Sequence, residues 1–314
     1  VLLKFVSKNL LFFWFQQFAV NFLCYFFLKI CIISFIICIF IAMKFKVLFF
    51  VLIVGFISSN CFYSQIVWNG AVDNDWSTGG NWVGGVVPGA GQNVQISTAG
   101  TGNYPVLTGL TTTVDGDLTI DNGTNININA KILVVTGNID INGTLDFAVN
   151  NSRCYVSGNW DDNTGTLSYG AGSHQVRLRG SGTVSQDPSN VFRNLQIENG
   201  LYTAASDINI VQNFNIGAGT TGQFDISTFT IHHQNTGGNR VFIDNGTLFF
   251  NGTGTLNSDA AFDASNGTIT FTAAGTLKLA ALNSDLGSSF SPGTGTVEYD
   301  LAGDQNIFNT TYNN

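Results

Sequence analysis

Beyond residue 64 the chain has a single cysteine, Cys154, and no methionine. An internal disulfide is therefore excluded there, and packing with backbone hydrogen bonds must hold the fold. Positive charge is equally scarce. Seven basic residues (Lys131, Arg153, Arg177, Arg179, Arg193, Arg240 and Lys278) face twenty acidic ones, a formal net charge of −13. Such a surface repels phosphates and offers no attraction to anionic lipid, so nucleic acid is not an expected partner. No stretch of helical periodicity and useful length occurs. The three histidines also lack metal-ligand spacing. His232 and His233 are adjacent, so in a strand their rings diverge, and His174 stands alone.

The first 64 residues lack something else: they hold no acidic residue and are mostly Phe, Leu, Ile, Val and Cys. The whole-chain hydrophobic content of 44% averages two unlike parts. Met43 is the only methionine, and after it "MKFKVLFFVLIVGFISSNCFYSQ" has the layout of a secretory signal peptide. Lys44 and Lys46 form the basic start, residues 47–57 the apolar run, and residues 58–65 a more polar end. Cleavage is expected after Ser64 or Cys61, which places the mature protein outside the cell or on its outer surface. Residues 1–42 read as an over-extended reading frame or a hydrophobic leader, interrupted by Gln16, Gln17, Asn21 and Lys29. Membrane contact is expected only through this leader, before cleavage.

What fills residues 65–314 is short alternating runs bounded by Gly, Asn or Asp: "DLTI", "NININ", "ILVV", "NIDI", "QVRLR", "NLQI", "TITFT" and "TLKLA" among them. That is the signature of strands. "NGT" turns recur, with twenty residues from Asn122 to Asn142 and twenty-one from Asn245 to Asn266. Asn-Gly pairs tolerate positive φ and suit tight turns. A turn signal near every twenty residues predicts an all-β, right-handed parallel β-solenoid, each coil stacked on the last. The alternative is a set of antiparallel β-sandwich modules. A longer similarity relates 175–194 to 296–314, Val176, Leu178 and Gly182 matching Val297, Tyr299 and Gly303 at an offset of 121. On that alignment residue 314 falls where a further strand should begin, and the chain reads as an N-terminal fragment.

"VWNGAVDNDWSTGGNWVGGVVPGAGQNVQI", followed by "YPVLTG" and "LTIDNGT", resembles the N-terminal module of large secreted repetitive surface proteins of Bacteroidetes. "VSGNWDDNTGTLSYGAGSHQVRLRGSGTVSQ" with "FRNLQIENG" resembles their Gly-Asn-Trp repeats. The resemblance spans residues 66–314. It implies export by the type IX pathway, whose C-terminal sorting domain is not found here, and an adhesin-like role at the cell surface. On this reading residues 65–105 form a Trp-rich cap and 106–314 the solenoid repeats.

Trp68, Trp76 and Trp82 lie within fifteen residues, in a segment otherwise rich in Gly, Asn and Asp. A solenoid's first coil exposes an apolar cross-section that three indoles would cover. The rival role is sugar stacking, for which Trp68, Trp76, Trp82 and Trp160 are the candidate ligand-binding residues and extracellular glycans or other surface components the candidate partners. Capping is the favoured reading, and Trp160 is expected to seat a turn. No catalytic residues are assigned. Asp161 and Asp162 would point to opposite faces of a strand, which argues against a catalytic pair. No nucleophile-elbow sequence occurs. The enzyme alternative is a β-helical polysaccharide lyase or hydrolase, whose nearest ingredients are Arg177 and Arg179, two apart and so on one face. No cofactor is expected. Calcium is the one ion that convergent aspartates and turn carbonyls would suit, although neither a nonapeptide calcium repeat nor an EF-hand loop is present.

Overall fold

The computed structural model describes residues 64–97, 102–162, 164–234 and 238–312. The leader and signal peptide expected before Ser64 lie outside the described residues.

Inward and outward residues alternate along each short strand, and the chain lays these strands in about nine stacked coils. The coils build three faces. The first face runs Thr111–Val114, Ile132–Val135, Arg153–Val156, Gln175–Leu178, Asn194–Ile197 and Phe214–Ile216. It continues through the first halves of Arg240–Phe250 and Ala261–Phe271 to Ser284–Asp285. The second face starts earlier, with Ser64–Trp68 and Gln92–Ile96, and then takes one strand from every coil to Ser289–Ser291. The third is carried by Asn125–Asn127, Thr144–Phe147 and Thr166–Tyr169, and later by Ile208–Ile210 through Thr296–Tyr299. In the fourth coil only Phe192 reaches this face, bridging to Ile210.

All of these strand pairings are parallel, so the fold is the β-solenoid and not the sandwich alternative. Among the described residues the one antiparallel contact is the isolated bridge between Trp68 and Trp82. Stacking aligns like with like: Leu118, Ile139, Trp160 and Val184 form one inward row, all fully buried. Each such aliphatic side chain contributes roughly 1.5–3 kcal/mol on leaving water.

A ladder of side chains locks the corner between the first two faces. Asn93 Oδ1 accepts the Asp117 N–H (2.9 Å), Asp117 Oδ1 that of Asn138 (2.7 Å), Asn138 Oδ1 that of Asn159 (2.8 Å) and Asn159 Oδ1 that of Thr183 (2.9 Å). A glycine precedes or occupies each step after the first, because the chains pass too closely for a side chain. A Cβ on Gly158 would lie 2.5 Å from Asn138 Oδ1 and 2.7 Å from the Gly137 carbonyl oxygen.

Two expectations need correcting, while a third holds: the Asn-Gly pairs turn corners between coil faces. Gly123 (φ 77°) and Asn245 (φ 57°) do use the left-handed region. Gly143 instead serves close approach, since a Cβ there would meet the Asp121 carbonyl oxygen at 2.3 Å. The 121-residue similarity also joins unlike places: Gln175–Leu178 is on the first face and Thr296–Tyr299 on the third. Every strand shares one in/out alternation, so alternation alone cannot tell faces apart. Finally, the alternating runs "INIVQNFNI" (208–216) and "FDISTFTIHH" (224–233), each of which reads as one strand, are split by a corner, while "RVFI" (240–243) and "TLFF" (247–250), which read as two, fuse into one strand with register shifts near Asp244.

Candidate binding face

All four candidate tryptophans face inward. Trp68, Trp82 and Trp160 are fully buried or nearly so, and Trp76 is 5% exposed. Trp82 packs edge-on against both Trp68 (4.9 Å between centroids) and Trp76 (4.7 Å). Edge-to-face pairs of this kind add to the burial gain. Their polar ends are tied to backbone: Trp82 Nε1 donates to the Trp76 carbonyl at 2.9 Å and Trp68 Nε1 to that of Asn103 at 2.7 Å. The loop between them is organised by Asn81, whose Oδ1 accepts the Val72 and Asp73 N–H groups and whose Nδ2 donates to Asp73. That bond and the Asp75 N–H hold the Asp73 carboxyl below its ordinary pKa. No indole face is open to a sugar in this arrangement. Trp160 lies in a strand, not a turn, with its ring 5.3 Å from that of Phe192.

Asp161 and Asp162 diverge. Asp161 points outward beside Asp140 in the parallel register, whereas Asp162 is fully buried. Burial pushes the Asp162 carboxyl up to about 7, opposed by the Asp187 N–H (2.8 Å) and the Asn190 amide (3.3 Å). The histidines diverge as well. His232 Nε2 meets Asp259 at 2.9 Å on the outside, while His233 is buried against the Gln212 carbonyl. Desolvation lowers the pKa of both His233 and the buried His174. Burial also pushes the Cys154 thiol up, out of the range of a reactive thiolate. No group of three or more His, Cys, Asp or Glu side chains placed to hold a metal occurs among the described residues.

The arrangement with most exposed chemistry is on the first face. Arg177 and Arg179 share that face and its border, and both reach Glu198 Oε2, at 3.4 and 3.1 Å. Arg177 Nε also donates to Gln175 Oε1 at 2.7 Å, and Gln175 Nε2 to Gln196 Oε1 at 3.1 Å. The two guanidinium groups cover the Tyr155 ring, 5.3 and 3.9 Å from its centroid. Cations held over an aromatic face in this way keep part of their charge directed at solvent while losing side-chain freedom. Arg153 lies one strand before Gln175 in the register. Tyr155, Arg153 and Glu198 were not singled out from the sequence. The alternation in "RCYV" does put Arg153 and Tyr155 on one side, but only the coil register carries them to Arg177.

Parallel stacking of short strands in successive coils defines a β-solenoid. Residues 67–180, from the tryptophan cluster into the fourth coil, match the family described as Domain of unknown function (DUF8693). No curated protein and no solved structure matches the chain.

Proposed function

We propose that this chain is a non-catalytic structural element of a secreted or outer-surface protein, with an adhesin-like role. The observation that carries the reading is the continuous inward ladder from Trp68 to Leu286, an apolar core that leaves the outer rows of the described residues as the surface a partner would meet. Repetition gives stiffness, because each coil hydrogen-bonds to the next, and it presents Thr, Asn, Asp and Arg side chains at a spacing of about 4.8 Å. The signal-peptide layout after Met43 and the resemblance to secreted Bacteroidetes surface proteins support an extracellular location. The divergence of Asp161 from Asp162 supports the non-catalytic reading.

The test is made on cells that produce the protein. Antibody labelling of intact cells, lost after external protease, is the expected outcome, together with weaker attachment of a deletion strain to surfaces. Retention inside the cell, or turnover of a polysaccharide by the purified protein, would sink the proposal.

A further inference from the structure

We infer that the first face of the second to fifth coils is a docking surface for an acidic polysaccharide bearing about one carboxylate per sugar. The few cations are unevenly placed along the chain. Five of the seven basic residues after position 64 fall between 131 and 193. Lys131 immediately precedes the strand Ile132–Val135, Arg153 opens the next, Arg177 lies within the third with Arg179 just after it, and Arg193 immediately precedes the fourth. The parallel register brings these strands side by side, so the five cations sit on one face and its two borders. Glu198 is the only acid on that face of those coils. Farther along the same face acids outnumber bases, with Asp244, Asp263 and Asp285 against Arg240, which pairs with Asp263 at 3.6 Å.

Two features make this more than a chance cluster. The guanidinium groups of Arg177 and Arg179 are pre-set by Tyr155, Gln175 and Glu198, so little freedom is lost on binding. Arg153 and Lys131 are half-buried, and neither makes a side-chain hydrogen bond or ion pair among the described residues. The spacing then selects the ligand. Cation-bearing strands follow one another at about 4.8 Å, comparable to one extended sugar residue. Duplex nucleic acid carries a charge every ~1.7 Å, a density that the net charge of −13 over residues 65–314 disfavours. The Gln175 amide, bonded to Arg177 and to the buried Gln196, fixes the place of the Arg177 guanidinium on this face.

The experiment uses the full chain against an immobilised polyuronate, its carboxyl-reduced neutral form, duplex DNA and anionic phosphatidylserine vesicles. Expected is saturable, salt-sensitive binding to the polyuronate alone, weakened about tenfold or more in Arg153→Gln/Arg177→Gln. Lys278→Gln, on the third face, should bind as the parent does. Lys131→Gln/Arg153→Gln keeps the test valid if the first double variant fails to fold, because neither side chain supports a neighbour. Binding retained in both double variants overturns the inference, as does equal binding to the neutral form, DNA or vesicles. So does self-association through the acidic end of this face, lost in the same variants without polyuronate binding. Because the assay is made in solution, a negative result leaves the surface location to be judged by the labelling experiment.

Discussion

The two ends of the described stack are built differently. At the start, three indoles are interlocked and tied to backbone carbonyls, and the corner ladder from Asn93 to Thr183 steps without a break through the first coils. In the ninth coil, Thr296–Tyr299 alternates between exposed and half-buried, and Phe290, Val297, Tyr299, Phe308 and Tyr312 are only partly covered. Both ends carry aromatic residues. What differs is how much of the ring area leaves water: the three indoles are at most 5% exposed, whereas Phe290, Tyr299, Phe308 and Tyr312 stay half-buried.

The largest expected effect is at Trp82. Trp82→Ala should cost about 3–5 kcal/mol, read as a fall in thermal midpoint, since it removes both edge-to-face contacts and leaves a cavity. Tyr299→Ala, whose hydroxyl meets Tyr312 at 2.7 Å, should cost about 1 kcal/mol. Equal losses at the two sites would break the contrast.

Asp162, buried inside the third coil, should make stability depend on pH. Its folded pKa of about 7 lies above the ordinary 3.8, so folding favours the protonated form. Its penalty is absent below about 3.8, grows as pH rises, and is complete above about 7 at up to roughly 4 kcal/mol. Asp162→Asn should therefore be more stable than the parent at pH 8, with the advantage gone by pH 4. An advantage unchanged across that range would show that the carboxyl does not titrate as its burial requires. His233 and His174 act in the opposite sense. Their lowered pKa values remove stability as pH falls through the ordinary histidine value of 6.5, so His233→Gln should lessen acid sensitivity.

The corner ladder gives a smaller effect. Gly158→Ala should cost about 1–3 kcal/mol by overpacking against Asn138 and Gly137. Gly109→Ala, with its nearest outside atom at 3.6 Å, should stay within about 0.5 kcal/mol in chemical denaturation. Similar losses at both positions would mean the ladder is not what makes the corner tight. Smallest in energy is a difference in opening. Amide exchange in Thr296–Tyr299 should be faster than in Ile139–Ile141, whose two flanking strands protect it. Equal protection would erase the distinction between the ends.

Much of this was legible in the sequence. The alternation of "DLTI" and "NIDI" set Leu118, Ile120, Ile139 and Ile141 inward, and the spacing of the "NGT" turns gave the length of a coil. Adjacent residues at 161–162 and 232–233 had to diverge, and they do. The strands at Thr111–Val114, Arg153–Val156 and Leu201–Ala204 were less visible, because short threonine- or arginine-containing runs have weak patterns of their own. Their partners above and below supply the hydrogen bonds that hold them extended.

The sequence by itself determined the class of fold and the sidedness of each strand, because a period of two is a local property of side-chain direction. It could not assign a strand to a face: Val176 and Val297 have the same local pattern and lie on different faces. Nor could it bring Tyr155, Arg177 and Glu198 together across positions 155–198. That juxtaposition is decided by coil register, which depends on how each corner packs on the one beneath it, and so exists only in the tertiary structure.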